Sequence, residues 1–405
     1  MEAIDKKPRL GVLLTVLTFS HIVASFCNLS IPQLTPFLRD ELQLTHAQVG
    51  MLMSFYYVGV VAASIFFGWA TDFLGERQTL ILGFAVQGVF ILGFAWIHSF
   101  LMGGLLLLLS GIGYSSVNPA TTKGIVRWFA AQGRATAMGI KQTGIPLGGI
   151  LAAFTLPGLA TAFGWRVAVL IVGAVTCGFI AVVRLKIPPH PHSEASSSKI
   201  QWKNLREVLF NRSMVALSVM GIFVAGAQLS IITHMVLFLK NQFLFSSIFA
   251  GMCLAATQAG GTAGRIGWGL VSDFLLGGKR KPVLIFIGCI AVLQLLLFSR
   301  MEPNISTPLL LILVALMGST TIGYHGVLFG LMGELVRKEV VGLATGFSLT
   351  ITFLGIVLFP PLFGHVVDRI GSYQRAWDML ALAWVAALVI LIFFVSEKPS
   401  PRGSA

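Results

Sequence analysis

Apolar residues come in long blocks along this chain of 405 residues, and polar residues gather in the short gaps between them. The blocks lack the alternation of a half-buried strand and the one-sided stripe of a surface helix. Each approaches the ~20 residues that a helix needs to cross the hydrocarbon of a bilayer. Backbone N–H and C=O groups find no water there, so such runs must satisfy their own groups as helices. Barrel strands would alternate over ~10 residues, and these blocks do not. Twelve spans are predicted, at about 10–34, 47–71, 79–97, 101–127, 135–160, 166–186, 211–238, 246–271, 282–300, 307–335, 341–367 and 377–396. The first is too long for a cleaved leader and carries His21, Asn28 and Gln33, so it is expected to remain as the first helix.

One stretch breaks the pattern. Residues 187–210, including "IPPHPHSEASSSKIQWKNLREV", are rich in Pro, Ser and charge, which predicts a polar linker. The expected organisation is a six-helix bundle at 1–186, a cytoplasmic linker at 187–210 and a second six-helix bundle at 211–405. The two halves repeat. "VGMLMSFYYVG…GWATD" matches "AGMCLAATQAG…GLVSD", "PFLRDEL" matches "LFLKNQF", and "RATAMGI" matches "GLATGFS". "GIGYSSV" matches "TIGYHGV" and sets Tyr114 over Tyr324. A duplicated helical unit is the mark of a secondary transporter, whose substrate sits near the midplane.

Composition narrows the class. A mean hydropathy of +0.87 with only 11% charged residues excludes a soluble domain of this size. The net charge of +13 would suggest nucleic acid in a soluble protein. Here the positives cluster in alternate loops, so the charge is read as orientation. Both termini are expected on the cytoplasmic side of the inner (plasma) membrane. The four cysteines lie inside apolar runs without metal or disulfide spacing, and neither a metal nor a cofactor is expected. No nucleophile–base pair or nucleotide motif argues for an enzyme. The chain is expected to work as a monomer.

Two cations stand out against this background. Lys141 lies in "ATAMGIKQTGIPLGGILAAF" and Arg265 in "CLAATQAGGTAGRIGWGLV". A charge inside a span costs at least ~2.5–3.5 kcal/mol, so it marks a cavity or a partner. Asp72, Asp273, Glu334 and Asp378 all fall near predicted helix ends, and no acid falls mid-span. The cations therefore point to an anion from outside, and the missing mid-span acid argues against a carrier of cationic compounds. Helical rise puts Arg265 ~12 Å from Asp273 and Lys141 ~10 Å from Arg134, which are similar depths.

The loop Gly68-Trp-Ala-Thr-Asp72-Phe-Leu-Gly75-Glu-Arg77 resembles the signature loop of the major facilitator superfamily. Its counterpart is Gly269-Leu-Val-Ser-Asp273, followed by Gly277 and Lys279–Lys281. The resemblance covers essentially the whole chain. It implies an all-α membrane protein of twelve transmembrane helices in two pseudo-symmetric six-helix bundles, working by alternating access. "RIGWG" on span 8 is similar to the monocarboxylate transporters and the oxalate/formate group, in which that arginine binds the substrate carboxylate. The animal members carry an aspartate four residues earlier, where this chain has Gly261, and a lysine on helix 1, which this chain lacks.

The resemblance also implies that spans 5 and 8 pack together, so Lys141 and Arg265 are expected to form a two-cation clamp. The glycines of both spans are expected to allow that close packing. Tyr114, Asn118, His234 and Tyr324 are expected to complete the pocket, with hydrogen bonds to carboxylate oxygens. His234, His325 and Lys141 are the candidate proton carriers, since histidine titrates nearest neutral pH. Asp72, Arg77, Asp273, Arg127, Glu334 and Arg337 are expected at the cytoplasmic gate. The predicted function is uptake of a small organic anion, a monocarboxylate, together with a proton. The alternatives are a carrier of a dicarboxylate, a sugar acid, nitrate or cyanate, or an efflux carrier for amphipathic compounds.

Overall fold

A computed structural model describes residues 10–130, 134–189, 206, 208–302, 304–337 and 340–397. Most of the predicted linker at 187–210 lies outside the described residues. The described residues form helices and no strand. In the first half these are α1 (Leu10–Asn28), α2 (Ser30–Leu42), α3 (His46–Phe94), α4 (Phe100–Tyr114), α5 (Val117–Trp128), α6 (Arg134–Gln142), α7 (Gly144–Phe163) and α8 (Trp165–Lys186). The second half holds α9 (Arg212–Phe243), α10 (Ser247–Leu270), α11 (Arg280–Ser299), α12 (Thr307–Thr321), α13 (His325–Leu335), α14 (Val341–Ile370) and α15 (Tyr373–Phe394).

Ten stretches among the described residues are long and apolar enough to cross a membrane. One of them, α3, is two spans joined at Gly75, whose φ of 78° breaks the helix. The 24-residue α10 stands where the remaining span was predicted, so helices occupy all twelve predicted positions. Glycine is needed at Gly75 because the left-handed backbone penalises a Cβ. Its counterpart Gly277 has φ 59°. The signature loop is thus built on the same device in both halves.

Four of the predicted spans are not continuous. Span 1 breaks at Leu29, span 4 at Ser115 and Ser116, span 5 at Thr143, and span 10 at Ile322 and Gly323. Broken helices leave backbone groups and adjacent side chains available in a medium without water, which is why transporter sites gather at them. Asn28, Tyr114, Asn118, Lys141, Tyr324 and His325 all lie within three residues of a break.

The chain forms two compact units, Met1–Ile31 with Phe55–Ser197, and Pro32–Ser54 with Ser198–Ala405. The stretch 32–54 precedes the sequence boundary between the halves yet packs inside the second unit. Its contacts on α14 explain this. Gly50 lies directly on the Pro360 and Pro361 backbone, and Gly364 lies on the His46 carbonyl. Pro361 has no N–H to give the Val357 carbonyl four residues back. The Ser54 hydroxyl donates to that carbonyl instead. Asp368 accepts from the His46 N–H at 3.0 Å, the Ala47 N–H at 2.9 Å and His46 Nδ1 at 2.7 Å. It thereby caps the free N–H groups that open α3.

The glycines on spans 5 and 8 serve a different contact from the one expected. Gly260 and Gly264 of α10 lie against the backbone of Ala315 and Ser319 on α12. Gly144 and Gly148 of α7 lie against Thr18, His21, Ile22 and Phe26 on α1. Each set closes a contact within its own unit, where a Cβ would meet neighbouring backbone. Apolar side chains gain little from leaving lipid for a helix contact, so close backbone approach does the work.

Candidate functional site

In the first unit the site is built around Lys141. Its side chain is 1% exposed. The ammonium donates to Thr122 Oγ1 at 2.6 Å, Thr121 Oγ1 at 3.1 Å and Asn118 Oδ1 at 3.2 Å. Asn118, Thr121 and Thr122 stand at positions i, i+3 and i+4 of α5, on one face. All three ammonium hydrogens are therefore taken by neutral oxygens. The stem does not carry the charge out to the helix end, as snorkelling would require. Thr121 gives its own hydrogen to the Val117 carbonyl at 2.7 Å, so its oxygen only accepts. His21 Nε2 lies 3.0 Å from that same oxygen and must be the donor.

The same unit gathers three of the five tyrosines. Tyr114 ends α4, 5.8 Å from the ring of Tyr56, and Tyr56 packs edge-on against Tyr57 at 5.6 Å. Asn28 Nδ2 donates to the Tyr57 hydroxyl at 3.0 Å. Gln87 Nε2 donates to the Tyr56 hydroxyl and to the Ala24 carbonyl, both at 3.1 Å. These bonds tie the rings to α1 and fix where the hydroxyls stand.

In the second unit Arg265 is half-buried on α10, and the next helix pair closes on it. Gly326 lies against the Arg265 carbonyl, where a Cβ would come within 2.9 Å. The guanidinium is near enough for its charge to act on both Tyr324 and His325. Those two rings stack at 4.3 Å and 26°. Tyr324 is 1% exposed, and its hydroxyl donates to Gln228 Oε1 at 3.2 Å. His325 Nδ1 lies 3.0 Å from the Ile322 carbonyl and so carries the proton, which leaves Nε2 as the basic nitrogen. Arg265, Tyr324, His325 and Gln228 form one cluster at the break in span 10.

His234, expected in the pocket, is elsewhere. It is fully buried, its Nε2 donates to the Pro360 carbonyl at 2.9 Å, and its ring stacks on Phe363 at 4.7 Å. Those contacts join α9 to α14, while its Nδ1 is buried without a hydrogen-bond partner among the described residues.

Four of the six expected gate residues fall into two ion-pair clusters, one in each unit. In the first, Lys123 Nζ meets Asp72 at 3.1 Å and the Thr71 carbonyl at 2.8 Å. Arg127 meets Glu76 at 3.4 Å, and Trp128 Nε1 donates to the same oxygen at 3.0 Å. In the second, Arg280 meets Glu334 at 2.6 Å and Asp273 at 4.0 Å. Gly330 leaves the space that the Arg280 guanidinium fills. Arg77 is half-buried two residues past Gly75, and Arg337 is exposed after α13.

Sequence reasoning passed over Thr121, Thr122, Tyr57 and Arg280. The spacing of Asn118, Thr121 and Thr122 in "VNPATTKG" was the available signal for the cradle. An amide and two hydroxyls on one face of a membrane helix need a polar partner. Tyr57 carried no comparable signal, and Arg280 stood inside the basic run Lys279–Lys281 of the signature counterpart without being singled out as a gate residue.

A membrane protein of two repeated six-helix bundles, with a charged site at helix breaks in each, has the architecture of a secondary transporter. The family model of the Major Facilitator Superfamily matches residues 14–360 and 219–405, and the chain belongs to that superfamily. It is a multi-pass membrane transporter and not an enzyme. It is 25% identical to a probable sulfoacetate transporter of Cupriavidus necator, over 96% of each chain. It is 22% identical to the hexuronate transporter of Bacillus subtilis, over 91% of each. The same fold is seen in a bacterial homologue of the human lysosomal transporter Spinster, with a TM-score of 0.79 at 16% identity over 96% of each chain.

Proposed function

We propose that this transporter carries a small organic anion, with Arg265 as the principal carboxylate ligand and Lys141 supplying a second positive charge. The observation that carries the reading is the Lys141 cradle, a buried cation held only by neutral oxygens inside an apolar span. A buried charge without a counter-charge is costly, and an arriving anion relieves that cost. Guanidinium suits the two oxygens of a carboxylate, and the ammonium acts as a point charge. Tyr114, Asn118 and Tyr324 shape the pocket. In this reading the anion is a monocarboxylate and enters with a proton, for which His325 is the favoured carrier. Asp72, Arg77, Asp273, Arg127, Glu334 and Arg337 act at the cytoplasmic gate. Both termini lie in the cytoplasm and the bundles are residues 1–186 and 211–405, an arrangement supported by the loop charges and the repeat.

A second reading is supported by the relatives, whose named substrates are a sulfonated carboxylate and sugar acids. Two cations suit a dianion, and hydroxyl-rich walls suit a sugar acid. Uptake into proteoliposomes decides between the readings. Labelled lactate, sulfoacetate and glucuronate are supplied with and without an inward proton gradient. Lactate uptake that rises with the gradient supports the first reading. Uptake of sulfoacetate or glucuronate alone supports the second, and uptake of none of the three ends both.

A further inference from the structure

We propose that Lys141 does not touch the transported anion but orients Asn118 and Thr122, which present their hydrogens to it. This rests on the anion reading above and gives Lys141 a positioning role within it. The argument is one of hydrogen-bond direction. An ammonium only donates, so every oxygen facing it must offer a lone pair. Asn118 turns its Oδ1 to Lys141, which points its Nδ2 hydrogens the other way. Thr122 accepts at 2.6 Å, so its own hydrogen also points away from the lysine. Thr121 differs, because its hydrogen is already given to the Val117 carbonyl.

Exposure agrees with this division. Lys141 and Thr121 are enclosed, at 1% and 0%. Thr122 is half-buried and Asn118 is exposed. The buried charge is thus carried outward as two oriented neutral donors, four residues apart on one face of α5. Donors fixed in advance bind an anion without the cost of reorienting them, and their bonds to a charged acceptor are the strong kind. His21 holds the far side of the cradle through Thr121, which keeps the lysine from swinging out.

The test uses the full chain purified in detergent, with binding of glucuronate, sulfoacetate and lactate measured by calorimetry. Asn118→Ala and Thr122→Val are each expected to weaken the tightest of the three about tenfold, the worth of one bond to a charged group. Thr122→Ser keeps the hydroxyl and is expected to bind like the wild type. Lys141→Met weakens binding, and adding Asn118→Ala to it costs less than about twofold more, since the orientation is already lost. Losses that multiply in the double variant overturn the proposal, as does a Thr122→Ser defect equal to that of Thr122→Val.

A second measurement needs no substitution at Lys141. An amine-reactive ester, read by mass spectrometry, is expected to label Lys141 far less than Lys123 and Lys240, whose side chains are 27% and 33% exposed. Protection is expected with or without the anion, and Asn118→Ala is expected to reduce it. Protection that arises only when the anion is present marks a direct ligand and overturns the proposal. A wild type that binds none of the three anions overturns the anion reading itself. Normal binding with unaffected variants overturns the positioning role alone.

Discussion

Each unit carries a cation inside an apolar helix, and the two are treated in opposite ways. Lys141 is enclosed, with all three of its hydrogens used by an amide and two hydroxyls of a single helix. Arg265 is half-buried beside a stacked tyrosine and histidine that stand at a helix break. The matched tyrosines divide the other way. Tyr114 is half-buried in a group of three tyrosines, whereas Tyr324 is buried and gives its hydroxyl to Gln228. A duplicated frame thus fixes where polar groups fall along the helices, and the neighbours decide what each group does. A guanidinium with five donors can hold a structural contact and still meet a carboxylate. An ammonium with three filled donors meets one directly only by giving up a bond it already makes.

The largest expected effect breaks this comparison at its stronger end. Arg265→Ala should reduce uptake on the order of a hundredfold, the scale for removing one side of an enclosed charge pair. Arg265→Lys should recover only a small part, because a point charge does not replace the planar fork. Uptake by Arg265→Ala equal to that of the wild type would remove the arginine from the site. Lys141→Met comes next, with uptake affinity lowered about tenfold. Its melting temperature should stay within about 4 °C of the wild type, since replacing a buried charge by an apolar chain of similar volume is often neutral or stabilising. Collapse of that variant would show that the cradle is part of the folding core.

Much of this was legible in the sequence, for identifiable reasons. Blocks of some twenty apolar residues have one stable solution in a bilayer, so the twelve crossings followed from length alone. Gly75 and Gly277 stood out within their motif, and both take the left-handed backbone that glycine tolerates. Lys141 and Arg265 were conspicuous because a charge in hydrocarbon is costly. What stayed hidden depends on rotation and on contacts between distant segments. His234 shares helical spacing with pocket candidates, yet the Pro360 carbonyl and the Phe363 ring decide its fate. The glycine-rich faces announced close contact without naming the partner. The packing of 32–54 on α14 rests on a carbonyl left open by Pro361, and nothing local to residues 32–54 announces it.

A smaller effect is expected at His325, and it separates coupling from binding. Its Nδ1 is committed to the Ile322 carbonyl, so in the proton-coupled reading proposed above Nε2 is the nitrogen that takes up and releases the proton. His325→Gln should abolish the response of uptake to an inward proton gradient while leaving exchange of anion across the membrane within about threefold, since no ligand bond is removed. Exchange that falls as far as gradient-driven uptake would make His325 a ligand. A gradient response that survives would move the proton to another group.

The least effect is expected where the two units differ by exposure alone. Both rim clusters pair acids with arginine at equivalent loops, but Glu76 is fully buried whereas the Glu334 side chain is 45% exposed. The bonds from Arg127 and Trp128 Nε1 both fall on one oxygen of Glu76, which an amide would keep, so Gln there removes the charge that faces the Arg127 guanidinium. Glu76→Gln should therefore cost about 2 kcal/mol of stability, read as a lower melting temperature in detergent. Glu334→Gln should cost less than about 1 kcal/mol, because water and salt screen an exposed pair and Arg280 keeps Asp273 at 4.0 Å. The difference should widen in high salt, because screening lowers the Glu334 cost while salt does not reach Glu76. Equal costs for the two variants would mean that the Arg280 cluster is enclosed in the working protein, and that the two rims are alike in function as well as in sequence.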